Sequence, residues 1–159
     1  MIKKIKFILI TIVMFMMLTT ISSMAQSENT LITSDETYTY ETVIETISET
    51  NINSSATKAG TNTVSGSKTT YCKDGSGHVL WYVKVYGTYT YGNGTAKCTK
   101  SSVEAVSKNG NWKITSKSAS KSGNKATAKA TAKRYQAGIV KETQTKIVTL
   151  TCSTTGKLS

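Results

Sequence analysis

The chain has 159 residues, with 20 Lys plus Arg against 9 Asp plus Glu, one His, three Cys, two Trp and no Pro. That length holds one domain of ordinary size and leaves no room for two full ones. Ser and Thr together supply 47 residues and only 18% are charged, a balance that argues against a helical bundle: Thr is β-branched and suits a pleated surface, while Ser competes for the helix backbone.

At the N-terminus Lys3, Lys4 and Lys6 stand without an acid, and residues 7–21 follow as an apolar run whose polar members are Thr11, Thr19 and Thr20. Ser23-Met24-Ala25 places small residues at the minus-three and minus-one positions of a cleavage site, which predicts a secretory signal peptide over 1–25. The run of 15 residues is shorter than the roughly 20 a spanning helix needs. The first Cys after it is Cys72, too distant for a lipid-bearing N-terminal Cys. Without Pro there is no Leu-Pro-x-Thr-Gly sorting motif. A secreted, extracellular chain beginning at Gln26, with no integral membrane segment and a net charge of +8, is expected.

Charge then divides the chain. Residues 26–57 hold six acids and no base; residues 58–159 hold 17 bases and three acids, so the two parts carry −6 and +14. The pattern fits an acidic, mobile leader, a pro-segment or an electrostatic cover over the basic body. Tyr40, Val43, Ile44 and Ile47 recur at helical spacing, whereas Thr-Tyr-Thr-Tyr at 37–40 alternates as a strand would; both readings stay open. Residues 51–67, rich in Asn, Ser, Thr and Gly, read as a linker, making 26–67 a leader and 68–159 the folded domain.

From Lys68 the chain reads as strands. Residues 79–91 alternate, with Val79, Trp81, Val83, Val85, Tyr89 and Tyr91 on one side and Tyr82, Lys84, Tyr86, Thr88 and Thr90 on the other. Thirteen residues is long for one strand, and Gly87 is expected to mark a bend or bulge between sheets. Turns are expected at Asp74-Gly75-Ser76-Gly77, Gly92-Asn93-Gly94, Asn109-Gly110-Asn111, Gly123-Asn124 and Gln136-Ala137-Gly138. They bound strands at 69–73, 95–100, 112–116, 125–135 and 139–152. In 125–134 the alternation of Ala126, Ala128, Ala130 and Ala132 with Lys125, Lys129 and Lys133 predicts a strand with an all-Ala inner face able to receive Trp81 and Tyr89. The result is an all-β, antiparallel β-sandwich of six or seven strands.

Strand phase turns Cys98 and Cys152 inward with their apolar neighbours, so a disulfide between them is expected, leaving Cys72 unpaired. Such a bridge would contribute about 4 kcal/mol by chain entropy. Cys98, Trp112 and Cys152 also stand in the order of the immunoglobulin signature, although Leu150 replaces its corner Tyr; that gives an architectural analogy. Leu80-Trp81, Gly87-Thr88-Tyr89-Thr90-Tyr91, Cys98, Trp112-Lys113-Ile114, Ser122-Gly123 and Leu150-Thr151-Cys152-Ser153 with Gly156 resemble a group of small secreted proteins of Gram-positive, gut-associated bacteria. The resemblance covers roughly residues 68–159. It implies export and a shared β-fold, and brings no activity or active site with it.

No catalytic or cofactor motif stands out, so the chain does not read as an enzyme. His78 lies near Cys72 in sequence, yet a nucleophile or metal pair needs further partners and only Asp74 is local. Asp74, Glu104 and Glu142 are too scattered for a glycosidase pair. The basic body points to binding. Tyr82, Lys84 and Tyr86 form one candidate surface, an aromatic and cationic platform for a sugar or base, and Lys125, Lys129 and Lys133 form a ladder. The expected partner is an anionic or glycan surface: a cell-wall polymer, an acidic glycan or lipid headgroups, with released nucleic acid the less expected one. The alternative is a bacteriocin-like, membrane-active protein, since the small-residue alternation over 125–151 resembles the strands that line β-pores.

Overall fold

The computed structural model describes residues 31–33, 36–50 and 61–159, and side chains within 37–47 and 61–159. The signal peptide expected over 1–25 lies outside the described residues. Among these residues the chain is all-β: β1 (Leu31–Thr33), β2 (Glu36–Thr50), β3 (Asn62–Lys73), β4 (Val79–Gly92), β5 (Thr95–Ser107), β6 (Trp112–Ser122), β7 (Lys125–Gln136) and β8 (Ile139–Thr151). One sheet has the order β1-β2-β3-β4-β5 and the other β6-β7-β8, with every pairing antiparallel. Seven long strands and the three-residue β1 thus stack as two sheets of a sandwich. The immunoglobulin analogy holds for this layering alone. Within each sheet every strand pairs with its neighbour in sequence, so the connections are those of a meander rather than a Greek key.

Alternation explains the core. Trp81, Val83, Val85 and Tyr89 of β4 are wholly buried, as are Ala126, Ala128, Ala130 and Ala132 of β7 and Leu150 of β8. The Ala face receives Tyr89, whose hydroxyl donates to the Leu150 carbonyl at 2.7 Å beside Ala126, the residue that pairs with Leu150. Trp81 stacks against Trp112, with ring centroids 6.3 Å apart. Gly87 does not bend the chain between sheets. β4 runs unbroken, and the register shift beside it lies between Thr88 and Tyr89, where β5 carries the extra Thr99. Gly87 is needed instead for packing: a Cβ there would lie 2.4 Å from the Tyr89 hydroxyl. Gly66, its partner across the β3–β4 pair, likewise accommodates Leu158, which would sit 2.3 Å from such a Cβ.

Residues 36–50 of the acidic stretch belong to the fold. β2 pairs with β3 along most of its length, from Thr39 opposite Lys73 to Thr50 opposite Thr63. Tyr38 is 1% exposed and meets Trp112 edge-on at 5.9 Å. The strand reading of 37–40 is the one realised, and β3 begins at Asn62 within the stretch expected as linker. Two opposite charges help hold the strand: Glu41 bonds Lys73, and Glu45 lies 3.4 Å from Lys84. Across the sandwich β2, with β1 at its outer edge, faces β8, and the edge strand β5 faces β6.

Candidate functional site

Tyr82, Lys84 and Tyr86 fall on the outer face of β4, as period two requires, and all three are half-buried. Lys84 pairs across the sheet with Glu104 of β5, and both tyrosine hydroxyls donate to that carboxylate: Tyr82 to Oε1 and Tyr86 to Oε2, the latter at 3.0 Å. The Tyr82 and Tyr86 hydroxyls hold the Glu104 carboxyl below its ordinary range. In return the hydrogen bond to Glu104 pushes Tyr82 up to about 12. Desolvation opposes the Lys84 charge, but Tyr86 and Glu45 outweigh it and its pKa is raised. The Lys84 ammonium also sits 5.5 Å from the Tyr86 ring centroid, and Lys108 covers Tyr82 at 5.7 Å. The expected platform is therefore assembled, but as a charge-balanced network whose cation and hydroxyls already have partners.

Lys125, Lys129 and Lys133 stand in a different setting. They lie on the outer face of β7, four residues apart, which spaces them by about 13 Å along the strand. Lys133 pairs with Lys113 on one side and Thr143 on the other; Lys129 lies between Ser118 and Ile147, and Lys125 between Ser122 and Thr151. Thr127 and Thr149 bond at 3.2 Å, and Thr131 and Thr145 at 2.9 Å, filling the intervals with hydroxyls. Lys113 lies 5.1 Å over the Tyr135 ring. Among the described residues no carboxylate shares this face: Glu142, the one acid of β6 to β8, turns inward to Tyr38 and Arg134. Four lysines thus share one hydroxylated sheet face with no carboxylate of the described residues on it to neutralise them. The two candidate surfaces occupy different sheets and are not brought together.

The expected bridge between Cys98 and Cys152 is not formed, and all three cysteines are free and buried. Phase reasoning placed both side chains inward, which the structure bears out. Their backbones are held by the same turn, since Cys98 N–H donates to the Gly123 carbonyl at 2.8 Å and Cys152 N–H to that of Asn124 at 3.0 Å. The thiols, however, turn to separate backbone carbonyls, Cys98 to that of Lys100 and Cys152 to that of Ser153. Burial raises the pKa of each. Trp112 starts β6 at the end away from the turn holding both cysteines, so the spatial part of the immunoglobulin signature is absent. Cys72, expected beside a turn, is 1% exposed and donates to Gln144 Oε1 at 3.4 Å; burial pushes it up to about 11. His78 is exposed in the β3–β4 turn with Asp74, which caps that turn by accepting from the Ser76 and His78 backbones, both at 2.9 Å. The structure does not bring Cys72 and His78 into one site. Among the described residues no group of three or more His, Cys, Asp or Glu could hold a metal ion.

Sequence reasoning missed a polar seam where β2 faces β8. Tyr38 donates to Glu142 Oε2 at 2.7 Å, Tyr40 to Gln144 Oε1 at 2.8 Å, and Gln144 Nε2 to Glu142 Oε1. Arg134 lies 3.6 Å from Glu142, and the Lys146 ammonium sits 3.3 Å from the Tyr40 ring centroid. Desolvation lowers the Lys146 pKa. The period-two rule does place Glu142, Gln144 and Lys146 on the face of Val148 and Leu150, a polar run on an inward face that signals a partner without naming it. In comparisons with protein-family models, curated proteins and solved structures, no match to the chain was found.

Proposed function

We propose that the protein is exported and acts without catalysis, as a binding module for an anionic polymer of the cell surface laid on the outer face of β6, β7 and β8. One observation carries this reading: Lys113, Lys125, Lys129 and Lys133 share a hydroxyl-rich sheet face that holds no carboxylate among the described residues. A linear polyanion gains from such a row chiefly by releasing its counterions, so affinity falls steeply with salt. Threonine and serine hydroxyls between the cations supply donors and acceptors for the backbone of the polymer. Tyr82, Lys84 and Tyr86 contribute less to this reading, because Glu45 and Glu104 already engage them.

The membrane-active alternative draws less support. A pore-lining strand needs an outward apolar face for lipid, and the apolar face of β7 is spent inside the molecule, with all four alanines at 0% exposure. Export rests on residues 1–25 of the sequence. The test of binding is direct. A polyglycerol phosphate or polyuronate is expected to bind with a strong inverse dependence on salt, and a neutral glucan is not. The variant Lys125→Gln, Lys129→Gln, Lys133→Gln is expected to reduce the slope of log K against log salt by about 2 units. Equal affinity and slope for the variant and the parent protein would remove this face as the site.

A further inference from the structure

The flank between β5 and β6 is the open side of the sandwich. After Trp112 and Ile114 every residue of β6 is exposed, including Lys117, Ala119 and Lys121, which pair with inward-facing alanines of β7 and so point toward the five-stranded sheet. The reason lies in side-chain size. Ser101, Ser102, Ala119 and Ser120 leave a volume that Val or Leu would have filled. The result is a cleft of about 570 Å³ lined by these four with Tyr86, Gly87, Thr88, Lys100 and Lys121, within the usual range for small-molecule sites. β5 carries its extra residue, Thr99, beside the cleft, as bulges next to binding sites commonly do. The Thr99 carbonyl takes a hydrogen bond from the Lys121 ammonium, which ties β6 to β5 across the opening.

Two features of the lining point to one class of ligand. Lys100 and Lys121 bring two cations, and no carboxylate among the described residues lines the cleft. Ser102 and Ser120, both exposed, bring hydroxyls that donate and accept in turn, which suits vicinal hydroxyls of a sugar. A smaller opening of about 350 Å³, lined by Ala105, Ile114, Thr115, Ser116 and Lys117, lies further along the same pair of strands and adds another cation. We infer that the cleft between β5 and β6 binds an acidic saccharide, with its anionic group between Lys100 and Lys121 and its hydroxyls on the serines. This site is separate from the β7 lysine face and stands whether or not that face binds a polymer.

The test uses ¹⁵N-labelled protein titrated with glucuronate, glucose 6-phosphate, glucose and inorganic phosphate. Both acidic sugars are expected to shift the amides of residues 100–102 and 119–121 in a saturable way, with glucose and inorganic phosphate each at least tenfold weaker. Lys100→Gln with Lys121→Gln is expected to weaken the acidic sugars at least tenfold, and Lys125→Gln with Lys129→Gln and Lys133→Gln to leave them within twofold. Ser102→Ala with Ser120→Ala is expected to bind several-fold more weakly while melting with the parent, a combination that loss of structure alone would not give. The inference is overturned if the shifts fall on 125–133 instead, if inorganic phosphate binds as well as the acidic sugars, or if the Lys100/Lys121 variant binds unchanged.

Discussion

At the scale of single residues, two side-chain arrangements determine what the sheets can do. The first is the pairing of Gly87 with Tyr89. The ring lies over the glycine and is held there by its hydrogen bond to Leu150, so it has nowhere to move when a methyl group is added. Gly87→Ala is expected to cost about 1–3 kcal/mol, the usual range for overpacking a filled core, read as a shift of the urea midpoint at constant slope. The second is Glu104 beneath Tyr82 and Tyr86. Its folded pKa lies below the ordinary 4.5, so its ionised form stabilises the fold fully above that value. The contribution is lost as pH falls through the lower, folded value. Thermal midpoints of the parent protein are therefore expected to fall more steeply below pH 4.5 than those of Glu104→Gln; parallel curves would exclude the linkage.

At the scale of elements, strand legibility followed the contrast between faces. β4 and β7 were readable because one face is buried and the other wet, which writes period two into the sequence. β6 was readable only to Ser116, since beyond that point both faces meet solvent and Ser, Ala and Lys alternate without a hydrophobic signal. β2 was ambiguous for a related reason. Val43, Ile44 and Ile47 are all more than a third exposed, and Ile44 shares the phase of the inward Tyr38 and Tyr40 while Val43 takes the other, so no buried face ran the length of the strand. The lysine ladder could be placed on one face from alternation alone. The engagement of Tyr82, Lys84 and Tyr86 by Glu45 and Glu104 could not, because those partners come from other strands in a register that only the fold sets.

The β2–β8 seam belongs to this scale as well. Glu142 accepts from Tyr38 and Gln144 and faces Arg134, so Glu142→Ala leaves several donors without their acceptor in a part-buried site. The expected loss is about 2–4 kcal/mol. Glu142→Gln, which keeps an acceptor for Tyr38, is expected to lose less. Hydrogen exchange gives the sharper check: amides of β2 should lose protection before those of β4 and β7, and uniform loss across all strands would show that the seam does not hold β2 in particular.

At the scale of the whole molecule, charge distribution had suggested a detachable acidic cover over a basic body. The fold assigns Glu41 and Glu45 a different place. Glu41 and Glu45 lie on a strand paired to β3, on the sheet opposite the lysine face of β7, so removing them does not uncover that face. What removal of residues 26–57 would uncover is the inner surface beneath Tyr38: Trp112, Cys72 and the β8 polar run. Loss of the buried Tyr38 alone is comparable to truncating a large aromatic side chain in a core, about 3–5 kcal/mol. Loss of the β2–β3 ladder and the seam adds to it, against a total stability of roughly 5–15 kcal/mol for a domain of this kind. The truncated chain is therefore expected to be largely unfolded or aggregated, with no gain in affinity for polyanions. A truncated protein that melted at the parent temperature and bound a polyanion more tightly would restore the detachable cover and refute the assignment of β2 to the sandwich.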